Sequence, residues 1–405
     1  MNPGIRASLV GRWRQACAMA LAGASMAALL VACGGGGDAP SAGGGSATAQ
    51  SFTSGPISGL GSIIVNGVRF DDSSAQVEDD DDGSSHMSSE LKLGMMVEVH
   101  SSAIDDRLAR AVAMRVRFGS EIVGPVASKD VAAQTLRVLD QTIEVRPNTV
   151  FDDSLAGGFA AIVPDQVLEI HALFDASTGR YVATRIEDKA NALLFRLRGR
   201  IGTLDTAAKT FRIGDAVINY GNVPAADLPA LADGLRVRVR LQTSQVNGQW
   251  VAVSVRTGVR RVDDIADARV RGLVTAFTSA QQFEVQGVPV DASNAMFEPN
   301  AAAVGLGVVV EVRGRAAAGT IVASRIRVID RDGDDWQRVE LHGEVSALDP
   351  VAQTFLLRDV KINYGRVIDW KNGLPTDLAN GRPVEVKGVW SEDRRVLFAV
   401  IVEFE

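Results

Sequence analysis

Cysteine is nearly absent from this 405-residue chain, which has only Cys17 and Cys33. Such a pair builds neither a disulfide framework nor a cysteine-rich metal site. Aromatic residues are scarce at 5%, and there are four histidines. Two signatures of hydrolysis are also missing. No Gly-x-Ser-x-Gly and no His-Glu-x-x-His occurs, which removes the usual marks of an α/β-hydrolase elbow and a zinc protease helix. Basic residues are not in surplus either: 42 Lys and Arg face 49 Asp and Glu, a net charge of −7. A protein that grips a nucleic-acid backbone needs a basic surface, so no nucleic-acid partner is expected.

Glycine is abundant, with 40 residues, and hydrophobic residues make up 46%. That mixture suits a globular chain of many turns and many short strands.

Residues 1–32 carry Arg6, Arg12 and Arg14, no acid, and the apolar run Ala16 to Ala32. A basic start followed by an apolar stretch is the plan of an export signal. The run is 17 residues long, at the short limit for a membrane-spanning helix. It ends in Leu30-Val31-Ala32-Cys33, which resembles the lipobox of bacterial lipoproteins. That resemblance implies cleavage before Cys33, with Leu30, Val31 and Ala32 as the recognised residues. It also implies acylation of Cys33 (diacylglycerol on the thiol, a fatty acid such as palmitate on the new amine). Several acyl chains anchor a protein stably in a bilayer where one does not. Gly34, rather than Asp, follows the cysteine, and in such lipoproteins this implies the outer membrane. Cys17 would leave with the signal, so no thiol would remain for catalysis. The tract 33–53 is rich in Gly, Ser and Ala and reads as a flexible linker.

Beyond it the chain repeats itself. Ile218–Gly221 and Ile362–Gly365 both read INYG, 144 residues apart. A glycine opening a strand and turn recurs at Gly55, Gly124, Gly199, Gly272 and Gly343, at intervals of 69, 75, 73 and 71 residues. Each is followed in order by a VEV-type strand and a VAxxI-type strand, so the INYG pair marks two periods. Within each unit the alternation has period two, as in Leu235 to Gln242, which marks strands with one buried face. Three strands, a stretch with room for one helical turn, then two strands is the order of the OB-fold, a small barrel. The expected fold is therefore all-β, a tandem array of five small five-stranded OB-like barrels, with β-sandwich modules as the alternative. The expected units are 54–119, 120–190, 191–260, 261–335 and 336–405.

These anchors together resemble the bacterial repeat family known as domain of unknown function 5666. The resemblance spans roughly 54–405, and copy four fits best, with VVVEVRG (Val308 to Gly314) and VASRI from Val322. Copy three departs, with Arg238 where the others have Glu98, Glu169, Glu311 and Glu385, and copy two lacks the glycine before its fourth strand. The family's motifs imply structure and bring no catalytic or ligand residues.

Few residues suggest chemistry. His100, His171 and His342 hold positions filled elsewhere by Arg or Lys, so they are expected to be exposed strand residues, as are the VEV glutamates and Arg236, Arg238 and Arg240. His86 is expected in an exposed loop. The run Glu78–Asp82 and the trio Asp330, Asp332 and Asp334 are weak candidates for a hard cation; solvated loops are the simpler reading. Trp250 is expected at a core or barrel rim. Trp370 and Trp390 lie in or next to loops and are the candidate ligand-contact aromatics. The resulting expectation is a non-enzymatic outer-membrane lipoprotein presenting β-barrel interaction modules. Its partners would be the bilayer, through Cys33, and an envelope protein or glycan; no cofactor is expected. The alternative is a lipoprotein that binds a polysaccharide or small solute. A hydrolase with its site between repeats is the remote third.

Overall fold

The period-two segments form strands, and in every unit the strands close on themselves. The computed structural model describes residues 50–405 apart from 156, 259–261, 331–338, 359 and 392–395. Residues Leu30 to Cys33 and the linker as far as residue 49 lie outside the described residues, as do Asp332 and Asp334. No described helix is long and apolar enough to cross a membrane.

Repeat 4 shows the pattern. Its first strand, Ile265–Ser279, pairs antiparallel with Gln282–Val285, which pairs with Val288–Asp291. The third strand then pairs parallel with the fifth, Thr320–Ile329, at Val290↔Ile321. The fifth pairs antiparallel with the fourth, Val309–Ala317, which returns to the first. This closed order, 1-2-3-5-4-1, makes a five-stranded OB-like barrel. Repeats 1 (51–118), 2 (122–188), 3 (195–257) and 5 (339–404) close through the same parallel contact, at Phe70↔Ala111, Ile143↔Tyr181, Ile218↔Trp250 and Ile362↔Leu397. Two-residue turns with left-handed Asn247-Gly248 and Ala318-Gly319 join the last two strands of repeats 3 and 4, as type I′ hairpins require. The stretch between strands three and four carries short 3-10 turns in every repeat, such as Ala301–Ala303 and Pro375–Asp377.

Alternation predicts the cores. In the fourth strand of repeat 3, Arg236–Val246, Val237, Val239 and Leu241 are fully buried. The outer faces differ from expectation. His100, His171 and His342 are buried, Glu169 and Glu311 are buried, and Arg236 is 6% exposed. Glu98, Glu385, Arg238 and Arg240 are half-buried. The reason is that the barrels pack on each other as well as closing individually, so an outward residue can face a neighbouring barrel.

That packing is not confined to neighbours in sequence. The first strand of repeat 1, Ser51–Leu60, runs parallel to the first strand of repeat 4 at Ser51↔Asp267 through Ser54↔Val270. Further along it pairs with the first strand of repeat 5, Val339–Asp349, at Gly59↔Glu340 and Leu60↔Leu341. This strand thus begins inside the segment expected to be linker, and Ser51 and Thr53 are fully buried by this pairing. Phe52 belongs to the core of repeat 4, in one cluster with Val270 and Val312. Repeats 2 and 3 share one apolar core, repeats 1 and 5 another. A smaller cluster joins Met96, Leu173, Val182, Leu273, Val309 and Ile329 from repeats 1, 2 and 4.

Candidate functional site

The chemistry of this protein is concentrated on one equivalent face in each barrel, the outer side of strands one and four. In repeat 3 this face is cationic. Strand one, Phe195–Arg200, brings Arg196 and Arg198, and strand four brings Arg238 and Arg240 directly opposite, at Arg198↔Arg238 and Arg196↔Arg240. Like charges facing across a ladder repel, so the face needs anions. Repeat 1 supplies them from the run Asp79–Asp82. Asp81, 4% exposed, takes Arg240 Nε at 2.5 Å, Arg238 Nε at 2.9 Å and Arg196 Nη2 at 3.2 Å. Asp80 takes Arg198 Nη2 at 2.6 Å and Arg238 Nη1 at 3.1 Å. The acidic run expected as a solvated loop or hard-cation site is therefore a contact between repeats, and arginines fill the place a cation would take.

On the same face of repeats 2 and 4 the charges are met both within the repeat and from its neighbours. Arg196 of repeat 3 lies 3.8 Å from Glu169, and Asp106 of repeat 1 takes Arg269 at 2.8 Å. In repeat 4, Glu311 receives Arg313 at 2.8 Å and Arg327 at 2.7 Å, and Glu298 receives Arg325 at 2.5 Å, around a groove of about 170 Å³. In repeat 2, burial alone would raise the Glu169 carboxyl. The charges of His171, Lys189 and Arg196 overcome it and hold the group at about 2. Burial holds His171 below the ordinary histidine value despite the Glu169 charge. His171 Nδ1 lies 3.2 Å from the Gly119 carbonyl oxygen, between repeats 1 and 2.

Repeat 5 carries a mixed set. His342 is 3% exposed. Its Nδ1 lies 2.7 Å from Glu405 Oε1 and its Nε2 3.0 Å from Glu340 Oε1 and 3.6 Å from Glu385 Oε2. Lys387 Nζ lies 3.2 Å from Glu340 Oε2 and 2.8 Å from Glu385 Oε1. Repeat 1 reaches this cluster too: Arg69 approaches Glu405 at 3.9 Å, and Arg358 donates to the His342 and Gly61 carbonyl oxygens.

The other residues singled out in sequence fall elsewhere. Trp370 is half-buried, stacked on Phe404 at 6.0 Å and edge-on to Tyr364 at 6.2 Å. Trp390 is half-buried against the same core. Trp250 is buried, as a core position should be, and its Nε1 donates to Asp140 at 2.9 Å across repeats 3 and 2. Asp330 is exposed. His86 is half-buried, with Nδ1 2.9 Å from Glu90 and its ring on Phe118. The His342 cluster was missed because its members are spread from residue 340 to residue 405. The one available signal was histidine and glutamate at positions where repeat 3 has Arg198 and Arg238.

These barrels and the charged contacts between them define a class, the tandem OB-like β-barrel protein. The family model of a domain of unknown function (DUF5666) matches residues 123–187, 271–327 and 342–403, so repeats 2, 4 and 5 each match that domain. Repeats 1 and 3, which exchange the acidic loop and the arginine face, fall outside the matched segments. No curated protein matches the sequence. A solved structure titled "drosophila Unr CSD456" aligns at 13% identity over 53% of this chain and 98% of its own, with a TM-score of 0.14. The barrel assignment therefore rests on the strand pairing.

Proposed function

We propose that the protein is a non-enzymatic lipoprotein of the outer membrane whose braced barrels serve as a platform for an envelope partner. The observation that carries this reading is the use made of its buried charges. Asp80 and Asp81 hold repeat 3 against repeat 1, and the His342 cluster lies where repeat 5 meets repeat 1. Buried ion pairs are weak sources of stability, and one attested use is to fix how elements pair. A platform needs its modules at fixed positions, and these contacts supply that.

The outward side of strands two and three supports the same reading. This is the surface on which OB-folds stack bases, and stacking there uses aromatic rings. Repeat 2 presents Thr135, Arg137, Thr142 and Glu144 on it, and repeat 4 presents Glu284 and Pro289. No ring is available in either for a nucleic acid.

The lipobox supplies the anchor in this reading. Cys33→Ser is expected to stop acylation, leave the precursor uncut and move the protein out of the outer-membrane fraction. Membrane fractionation with mass spectrometry of the N-terminal peptide tests it. Unchanged maturation in the variant would remove the anchor from the proposal.

A further inference from the structure

We propose that Glu340, His342 and Glu385 form a binding site for one divalent transition-metal ion of the Zn²⁺ class. The argument begins with His342. Its Nδ1 faces the Glu405 carboxylate at 2.7 Å. A carboxylate accepts only, so Nδ1 carries the hydrogen and donates it. In the neutral ring that fixes the tautomer and leaves the bare Nε2 facing Glu340 Oε1 at 3.0 Å and Glu385 Oε2 at 3.6 Å. A histidine whose far nitrogen is held by a carboxylate is the usual support for a metal-bound imidazole.

A positive charge is needed between Nε2 and the two carboxylates. Without an ion the second proton of an imidazolium supplies it, since the hydrogen bonds to Glu340 and Glu405 outweigh burial and hold His342 above the ordinary histidine value. A metal ion meets that need with three ligands at once. The three ligand atoms lie within 4.8 Å of one another. Bonds of about 2.0–2.2 Å in a tetrahedral zinc site put neighbouring ligand atoms about 3.3 Å apart. The two nitrogen-to-oxygen distances, 3.0 and 3.6 Å, bracket that value.

Lys387 is the obvious objection, because its ammonium already serves both carboxylates. It does so from the other side. It approaches Oε2 of Glu340 and Oε1 of Glu385, whereas Oε1 of Glu340 and Oε2 of Glu385 face the imidazole. The lysine therefore fixes the carboxylates and competes for their charge without filling the ligand positions. Glu340 and Glu385 keep 30% and 16% of their side-chain surface exposed, which gives an ion a way in and a water a fourth position.

The equivalent positions in the other barrels explain why the site belongs to repeat 5. Where repeat 5 has Glu340, His342 and Glu385, repeat 3 has Arg196, Arg198 and Arg238, and repeat 4 has Arg269, Arg271 and Glu311. Neither of those sets can hold a cation. The site also borders repeat 1, since a Cβ on Gly61 would lie 2.3 Å from the His342 Cβ.

The test uses the full chain in detergent, stripped with a chelator and titrated with Co²⁺. One equivalent should bind with a visible d–d band, and Zn²⁺ should displace it. His342→Gln and Glu385→Gln should each weaken binding at least tenfold with the circular dichroism unchanged. Lys387→Met, which keeps all three ligands and removes the competing charge, should tighten binding by a similar factor. It also carries the test if either glutamine variant fails to fold. No band at one equivalent, equal binding in the glutamine variants, or no tightening in Lys387→Met would overturn the site.

Discussion

At the scale of single residues, neighbours on opposite faces of one strand both matter, for different reasons. Val239→Asp puts a carboxylate into the core shared by repeats 2 and 3 and is expected to cost about 3 kcal/mol or more. Alternation alone makes Arg238 a solvent residue and Arg238→Asp nearly free. The structure gives Arg238 two aspartate partners at 3.1 and 2.9 Å. Arg238→Asp is therefore expected to cost on the order of 3 kcal/mol, because it sets like charges against each other in a half-buried place. Adding Asp81→Arg should restore part of the loss, and thermal melts of the single and double variants check both values. Glu169 yields a pH prediction. Its folded value of about 2 lies below the ordinary 4.5, so its contribution is present above pH 4.5 and lost as pH falls toward 2. Glu169→Gln should flatten stability against pH across that window, and acid titrations followed by fluorescence check it. The inward residues were legible because a period of two specifies a face. The fate of the outward ones was not, since Asp81 and Arg240 lie 159 residues apart and nothing local marks them as a pair.

At the scale of elements, the strand Ser51–Leu60 belongs to more than one barrel. It closes repeat 1 through Met96–Ser101 and adds itself to repeats 4 and 5. Phe52→Ala removes a fully buried ring from the core of repeat 4 and is expected to cost about 3–5 kcal/mol. Hydrogen exchange should show faster amides in Ile265–Ser279 as well as in repeat 1; loss of protection confined to repeat 1 would contradict the shared core. The strand order within each barrel was readable from three recurring anchors. The added pairing was not, because Ser51-Phe52-Thr53-Ser54 follows a Gly- and Ser-rich tract and shows only one apolar residue. What buries those small polar side chains is a parallel partner more than 200 residues away, which no local pattern announces. A fragment such as 261–335 lacks Phe52 and that partner strand, so it is expected to be less stable alone than inside the chain.

At the scale of the whole molecule, shared cores set the cooperativity. Repeats 2 and 3 bury one continuous cluster and repeats 1 and 5 another, so the five units do not behave as independent beads. Scanning calorimetry is expected to resolve fewer than five transitions, and five separable ones would contradict the shared cores. The paired strand at Ser51 has a further consequence, in time. A chain is synthesised from its N-terminal end, so Ser51–Leu60 emerges long before the residues around Asp267 and Glu340 that complete its pairing. Until they arrive, the growing chain holds an unfinished edge open to any similar edge it meets. The first strand of the barrels to be made thus completes its pairing only when the first strand of repeat 5 is made.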